Sequence, residues 1–374
     1  MAKENLYLKF LLLTSVVALA CFILTIVNDL RYPNIDVQHN KHHINSRLML
    51  WKIDKEPREH HHPVYKRKIL SKTTYPIVVS RPYKINNKDI CSGVDKVSCI
   101  VMVHTAPKHF ERRIRMRATW LNSTHYSPES VRVVFLLGLV ADPILQTKLE
   151  YESKIYKDIV QGYFIDSYRN LTNKGVMGYK WITEHCRNAE FVAKIDDDAF
   201  INFFKLFEEM SYLKEKKKYI KCNKISKGSM KIIRENDSKW FVQNDEFKDM
   251  KRYPHTYCSG FTVFLSTDLV PMLYHAAIGS PFFWVDDFYL FGLLPSKVQG
   301  VIHDGLRPNL TLRFPESFNC YQEQGRKCQY VVMPAKDKEI YRMWTAVIRD
   351  RTQSIYGNYY MNLPSNKENV RRLY

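Results

Sequence analysis

Short apolar runs alternate with helical stretches in the middle of the chain, and this alternation constrains the fold more than any other feature. The runs that read as buried strands are residues 99–105, 131–138, 162–166 and 191–195. Predicted helices lie at residues 110–120, from residue 142 onward, at 172–186 and at 202–217. Strands that alternate with helices predict an α/β fold.

An uncharged apolar run at residues 10–27 precedes this region and is long enough to cross a bilayer as a helix. Lys3 and Lys9 lie before the run, which favours a cytosolic N-terminus and a lumenal remainder. A cleaved signal peptide is the alternative, because residues 18–20 resemble a cleavage site. We predict a cytosolic tail at residues 1–9, a signal-anchor at 10–28 and an irregular stem at 29–95. Both alternatives send the rest of the chain into the secretory pathway.

The 374-residue chain carries a formal net charge of +19, a balance compatible with nucleic acid, a membrane surface or an anionic small substrate. No RNA-binding aromatic signature, zinc-finger spacing or basic zipper accompanies the charge, so we predict no nucleic-acid partner. The densest basic run, residues 214–221, is predicted to be a solvated helix end.

Cysteines and glycosylation sequons agree with a lumenal setting. Seven of the eight cysteines lie outside the apolar run, which allows up to three disulfides. The spacings of Cys91 and Cys99, and of Cys320 and Cys328, permit short loops, but the sequence leaves the pairing open. A fourth sequon, at Asn170, falls inside a block that we expect to be packed and unglycosylated. The candidate N-glycosylation sites are Asn122, Asn236 and Asn309.

Two groups of carboxylates mark a candidate site. Asp196, Asp197 and Asp198 directly follow the last predicted strand, where α/β sheets bind ligands. Three adjacent carboxylates need either full solvation, as in an exposed acidic turn, or a cation such as Mg²⁺ or Mn²⁺ held against a diphosphate. Asp286 and Asp287 follow an aromatic run, which suits a base with a raised pKa but also fits a helix N-cap pair. P-loop, zinc-protease and nucleophile-elbow motifs are absent from the sequence.

Several ordered blocks resemble the β-1,3-galactosyltransferase and β-1,3-N-acetylglucosaminyltransferase group, glycosyltransferase family 31. The first is Arg113-Ile-Arg-Met-Arg117-Ala-Thr119-Trp120, which is similar to R-x-x-I-R-x-T-W. The others are Val133-Val-Phe-Leu-Leu-Gly138, the block from Tyr156 to Lys174 that ends in Asp166-Ser-Tyr168-Arg-Asn170-Leu-Thr172-Asn-Lys174, Lys194-Ile-Asp196-Asp-Asp-Ala-Phe200, Lys239-Trp240-Phe-Val with Tyr253-Pro-His-Thr-Tyr257-Cys-Ser-Gly260, and Val285-Asp-Asp287-Phe-Tyr-Leu-Phe-Gly292. The sequence departs from the family in the residues after Gly260 and in carrying Asp286 where many members have glutamate.

The resemblance implies a GT-A-type nucleotide-sugar-binding fold, over residues 96–335, followed by a C-terminal extension at 336–374. It also implies an inverting transfer from a UDP-sugar donor to the 3-hydroxyl of a glycan acceptor, with Mn²⁺ or Mg²⁺ as cofactor. The implied metal ligands are Asp198 and Asp196, and His303 is a further candidate. The implied donor contacts are Arg113, Arg117, Asp196, Asp197 and Thr105.

The same resemblance implies that Asp287 is the catalytic base and that Trp284 and Asp286 contact the acceptor. Trp284 also reads as an ordinary core aromatic. The expected location is the Golgi membrane, with a single-pass type II topology. The alternative function is a catalytically inactive lumenal lectin or chaperone on the same fold.

Overall fold

A mixed eight-stranded sheet lies at the centre of the fold, with strand order β1-β4-β3-β2-β5-β8-β7-β9. The computed structural model describes residues 82–210, 214–307, 310–311, 314–324, 331–332 and 337–361. The strands of the main sheet are β1 (Ile85–Asn86), β2 (Val97–His104), β3 (Val131–Leu139), β4 (Ile159–Ile165), β5 (Ala189–Asp196), β7 (Tyr219–Ile225), β8 (Tyr257–Ser266) and β9 (Ile302–Gly305). A second, three-stranded sheet contains β6 (Phe200–Ile201), β10 (Leu310–Thr311) and β11 (Val331–Val332).

The helices connect and cover these strands. They are α1 (Phe110–Ala118), α2 (Pro143–Tyr156), α3 (Leu171–His185), α4 (Phe203–Met210), α5 (Leu269–Ile278), α6 (Asp286–Phe288), α7 (Phe314–Gln324) and α8 (Asp337–Met361). Strands β4, β3, β2 and β5 are mutually parallel, and α1, α2 and α3 lie between them in the chain. The predicted α/β sheet is therefore confirmed, and each predicted strand corresponds to one of these four.

Both faces of the sheet are buried, which explains why its parallel strands are apolar throughout. Along β2, Ile100 and Met102 pack into one core beneath α3 and α5. The alternate residues Val101 and Val103 pack into a second core with α1, α4 and α8. Helix α8 lies in the region predicted only as a C-terminal extension, and its Ile340, Met343 and Val347 are buried in that second core.

Residues 82–95, which the sequence assigned to the stem, pack on the sheet. β1 pairs with β4 in antiparallel register, and Cys91 forms a disulfide with Cys186 at the end of α3. Cys91 therefore does not close a short loop with Cys99, which is a free, buried thiol. A second disulfide joins Cys222 on β7 to Cys258 on β8.

The basic run at residues 214–221 differs from its prediction. Helix α4 is described from Phe203 to Met210, and residues 214–218 form a non-helical segment that leads into β7. Lys221 is a buried strand residue whose Nζ lies 3.0 Å from Asp304 Oδ2 on the neighbouring β9. The Asp304 carboxylate on the adjacent strand thus compensates part of the positive charge that the sequence predicted to be solvated.

The predicted tail, the signal-anchor, the stem up to residue 81 and the Asn309 sequon lie outside the described residues. Across the part of the chain that the structure does describe, no helix has both the length and the apolar character to cross a membrane.

Candidate active site

The carboxyl ends of β2 and β5 meet at the candidate site. The two strands are in parallel register, with His104 opposite Asp196. The Asp197 amide donates to the His104 carbonyl at 3.1 Å, which holds the start of the acidic triplet against the end of β2. The triplet therefore lies at the strand ends where α/β sheets bind ligands, as the sequence predicted.

Asp197 is held by three donors from the β2–α1 segment. Its carboxylate accepts from Thr105 Oγ1, His109 Nδ1 and Arg112 Nη1, each at 2.6 Å. Burial by itself raises the pKa of Asp197, but the hydrogen bonds from His109 and Thr105 outweigh it and lower the pKa to about 2. The carboxylate is thus ionised and saturated, and it anchors the N-terminus of α1 beside the strand ends.

Asp196 and Asp198 are the members of the triplet open to an added ligand. Asp196 Oδ1 accepts from Lys194 Nζ at 2.7 Å, and the Asp196 side chain is about one-third exposed (36%). Asp198 Oδ1 is buried and has no hydrogen-bond partner. Burial and the charges of Asp196 and Asp197 raise the pKa of Asp198, and together they outweigh the nearby positive charge of Arg112.

These two carboxylates fit a divalent cation that is shared with a substrate phosphate. Among the described residues no group of three or more His, Cys, Asp or Glu side chains is placed to hold a metal. Mg²⁺-type ions commonly take one or two carboxylates and complete their shell with phosphate oxygens and water, so two protein ligands suffice. The orphaned Asp198 oxygen is the observation that favours such an ion at this position.

His303 does not join the acidic triplet through Nε2. This nitrogen donates to the Phe291 carbonyl at 2.8 Å, and burial lowers the pKa of the ring. These contacts are those of an ordinary histidine whose ring nitrogen has a protein hydrogen-bond partner.

Two buried lysines lie beneath the carboxylates. Lys194 Nζ bridges Asp196 and the Gly260 carbonyl, the latter at 2.6 Å. Lys174 Nζ donates to the Thr105 carbonyl at 2.6 Å and lies 3.0 Å from an Asp166 oxygen. Buried ammonium groups are rare unless paired, so both lysines serve as fixed counter-charges for the surrounding carboxylates.

Asp286 and Asp287 begin α6 and face Gly260 on β8. The Gly260 amide hydrogen-bonds to Asp287, and the buried Lys194 lies close enough to act electrostatically on both carboxyls. Burial raises the pKa of Asp287, and burial together with the Asp287 charge raises the pKa of Asp286. A carboxyl whose pKa is raised in this way is a stronger proton acceptor than an ordinary aspartate.

The aromatic residue predicted to contact the acceptor is largely enclosed. Trp284 is 8% exposed, and the Arg169 guanidinium lies 3.5 Å from the centre of its ring. The ring centre of Tyr168 lies 6.3 Å from that of Trp284, which is part of the core beneath α3 and α5. Trp284 thus corresponds to the core-aromatic alternative and supports the surface around Asp286.

The predicted roles of Arg113 and Arg117 as donor contacts do not fit their placement. Arg113 is fully buried, and its Nε and Nη2 donate to Glu152 on α2 at 2.8 and 2.7 Å. Arg117 donates to Glu152 at 2.7 Å and to both oxygens of Asp158. Both guanidinium groups are occupied by carboxylates, so they fix α1 on α2 and leave Arg112 as the arginine beside the triplet.

The candidate glycosylation sites differ in exposure. Asn236 lies in an exposed turn, whereas the Asn122 side chain accepts from the Thr124 amide and hydroxyl. Within the sequon at Asn170, the Asn170 side chain donates to the Ile165 carbonyl at 2.8 Å and Thr172 is buried. The block around Asn170 is therefore packed only in part, since Thr172 and Lys174 are buried whereas Tyr168 and Arg169 are exposed.

Sequence reasoning missed several residues at the site: His109, Arg112, Lys174, Lys194 and Gly260. Lys174 and Lys194 lie in the sequence blocks that resemble the family, but the sequence alone assigned them no role in the site. Their only sequence signal was a lysine inside an apolar strand or helix, which implies a buried partner that the sequence does not name.

Comparisons with known proteins agree with the resemblance. A galactosyltransferase family model matches residues 111–304. Beta-1,3-galactosyltransferase 1 of Mus musculus is 31% identical over 252 residues, covering 66% of this chain and 72% of that protein. The acetylgalactosaminyl-O-glycosyl-glycoprotein beta-1,3-N-acetylglucosaminyltransferase of Mus musculus is 32% identical over 233 residues, covering 59% of each chain. The solved galactosyltransferase LgtC, with donor and acceptor sugar analogs, gives a TM-score of 0.33 at 9% identity over 69% of this chain and 95% of that one, too low to establish a shared fold.

Proposed function

The chain belongs to the galactosyltransferase family and is a glycosyltransferase, and from this premise we propose that it is an inverting hexosyltransferase with a GT-A-type fold. It transfers galactose or an N-acetylhexosamine from a UDP-sugar to the 3-hydroxyl of a glycan acceptor on glycoprotein or glycolipid. The observation that carries this proposal is the position of Lys194, which pairs with Asp196 beside the orphaned buried oxygen of Asp198 and acts electrostatically on the raised-pKa Asp287.

Asp287 removes the proton of the acceptor 3-hydroxyl while that oxygen attacks the anomeric carbon of the donor sugar. The bond between the anomeric carbon and the UDP oxygen breaks, and the configuration inverts. The Gly260 amide and the Lys194 ammonium hold the Asp287 carboxylate in place. Its raised pKa makes it a stronger base than an ordinary aspartate near neutral pH.

The donor diphosphate is proposed to lie over the ends of β2 and β5. Asp198 and Asp196 would hold Mn²⁺ or Mg²⁺ there, and the ion would supply positive charge to stabilise the departing UDP. Asp197 keeps His109 and Arg112 at the edge of this position through its hydrogen bonds. In this arrangement Thr105 supports the donor site indirectly, since its hydroxyl donates to Asp197.

A UDP-release assay on the full chain in detergent tests the proposal. UDP-galactose, UDP-N-acetylglucosamine and UDP-N-acetylgalactosamine are each supplied with Mn²⁺ and a panel of glycan acceptors. Acceptor-dependent UDP release that Asp287→Asn abolishes supports the transferase. Asp249→Asn, at an exposed turn whose positive φ of 64° asparagine tolerates, is the matched control.

The same assay separates the inactive alternative. A chain that binds glycans in a calorimetric titration but neither binds UDP with Mn²⁺ nor releases UDP is a lectin or chaperone.

We further propose a type II Golgi location, motivated by the apolar run at residues 10–27 and the sequons. A shift in mobility on glycosidase treatment, with carbonate-resistant membrane association, checks that location.

A further inference from the structure

Two half-exposed aromatic side chains lie beside the carboxylates and have no role in the proposed chemistry. Tyr168 is 48% exposed and Trp240 is 51% exposed, although both residue types usually bury their rings. Lys239 Nζ lies 4.4 Å from the Trp240 ring centre and 5.6 Å from that of Tyr168, so one cation spans both rings. We call Tyr168 and Trp240 together the aromatic shelf.

The shelf is continuous with the catalytic carboxylates. The Tyr168 ring packs at 6.3 Å from Trp284, which precedes Asp286 by two residues. Thr172, four residues after Tyr168, donates to the Phe283 carbonyl at 2.8 Å and ties the same two segments together. The Tyr168 hydroxyl also lies within the electrostatic reach of Asp286 and Asp287.

The shelf is built to hold its rings in fixed positions. Arg169 stacks on Trp284 and also donates to the Phe241 carbonyl at 3.1 Å, so it joins the Tyr168 segment to the Trp240 segment. A hydrogen bond between the Trp240 side chain and Tyr168 connects the two shelf residues directly. Aromatic side chains that are half-exposed yet held by neighbours offer apolar contact area at a low entropic cost on binding.

We propose that the aromatic shelf binds the second sugar of the acceptor glycan, while the first sugar presents its hydroxyl to Asp287. This inference rests on the proposed function. A pyranose ring has an apolar face that can stack on Trp240 and an edge of hydroxyls that can accept from Lys239. A lipid chain fits less well, because burying the adjacent ammonium in hydrocarbon is costly. The enzyme therefore prefers acceptors of at least two sugars.

Acceptor kinetics on the full chain test the shelf. The probes are the monosaccharide glycoside that the UDP-release assay identifies and a disaccharide with the same terminal sugar. Trp240→Ala is expected to raise the KM for the disaccharide about tenfold, equivalent to about 1.4 kcal/mol. The KM values for the monosaccharide and the donor stay near those of the wild type. Equal changes for the two acceptors, or no change for either, would overturn the proposal.

Two further variants guard against a misfolded protein. Trp240→Phe keeps an aromatic face and is expected to retain most of the disaccharide preference. Tyr151→Ala removes another exposed aromatic side chain, 47% exposed on α2, and is expected to change neither KM. A loss of disaccharide preference in Tyr151→Ala would contradict a specific role for the shelf.

Failure of the shelf and failure of the transferase are distinguished by a binding measurement. Saturation-transfer NMR reports disaccharide contacts in the presence of UDP and Mn²⁺ without requiring turnover. A wild-type chain that releases no UDP with any donor overturns the proposed function. The NMR experiment then tests, independently of turnover, whether the aromatic shelf binds a sugar. Contacts of the second sugar that Trp240→Ala removes support the shelf, and unchanged contacts overturn it.

Discussion

The Asp287 carboxylate lies against the α-carbon of Gly260, so closely that a β-carbon at Gly260 would stand 2.1 Å from Asp287 Oδ1. Behind that position, an edge carbon of the Phe291 ring is 3.4 Å away. Glycine is required here for space, since Gly260 sits in the regular strand β8. The strand therefore places a backbone amide directly on the proposed base.

Gly260→Ala is expected to displace the Asp287 carboxylate and to lower kcat by on the order of 10²-fold, the usual effect of a misplacement of about 1 Å. The measurement is the rate of UDP release at saturating donor and acceptor. Gly279→Ala is the control, because a β-carbon there meets nothing within 4 Å. A Gly260→Ala enzyme with wild-type kcat would contradict the role of Asp287 as the catalytic base.

The pH dependence of kcat/KM is expected to follow Asp287. Burial raises the pKa of this carboxyl above that of an ordinary aspartate, and only its ionised form accepts a proton. Activity is therefore present above that pKa and is lost as the pH falls through it, by about tenfold per pH unit. Circular dichroism at each pH serves as the control for folding. An acidic limb near pH 4, the range of an ordinary aspartate, would contradict the raised pKa.

Asp198→Asn is expected to weaken Mn²⁺-dependent binding of UDP by more than about 100-fold, since changes even outside the ligand shell cost about 10–100-fold. Isothermal titration of UDP with Mn²⁺, and again with excess EDTA, measures this effect. Without metal, Asp198→Asn is expected to be at least as stable as the wild type, because the substitution removes a partly buried negative charge beside Asp196 and Asp197. Unchanged UDP affinity would place the metal elsewhere.

Much of the sheet could be predicted because parallel strands buried on both faces read as continuous apolar runs. The strand β7 escaped prediction because its polar residues looked like part of a basic run. Lys221 is buried there and pairs with Asp304 on β9, 83 residues later in the chain. A local pattern does not identify a partner at that distance, so the sequence favoured solvation.

The candidate site shows the same division between local and distant determinants. The position of Asp196, Asp197 and Asp198 at a strand end followed from the strand alone. Their separate roles did not, because Asp197 is distinguished from its neighbours by donors near residue 109, far away in sequence. The buried state of Arg113 likewise depends on Glu152 in another helix, and the family motif gave no sign of that carboxylate.

Glu152→Gln is expected to destabilise the fold by about 3–5 kcal/mol, the usual cost of removing one partner from a buried ion pair. Glu152 is 4% exposed and accepts from Arg113 and Arg117, so the substitution leaves a fully buried guanidinium without its counter-charge. Burial by itself raises the pKa of Glu152, but these two arginines outweigh it and lower the pKa. Chemical denaturation of the full chain measures the change in the free energy of unfolding.

Glu150→Gln, two residues away on α2, provides the matched control for this substitution. Glu150 pairs with Lys84 at 3.4 Å on the surface, where both side chains are more than one-third exposed. Exposed pairs contribute about 0–1 kcal/mol, so Glu150→Gln should leave the unfolding free energy nearly unchanged. If Glu152→Gln and Glu150→Gln both change the free energy of unfolding only slightly, and Arg113→Lys raises the KM for the donor, Arg113 would be a donor contact after all.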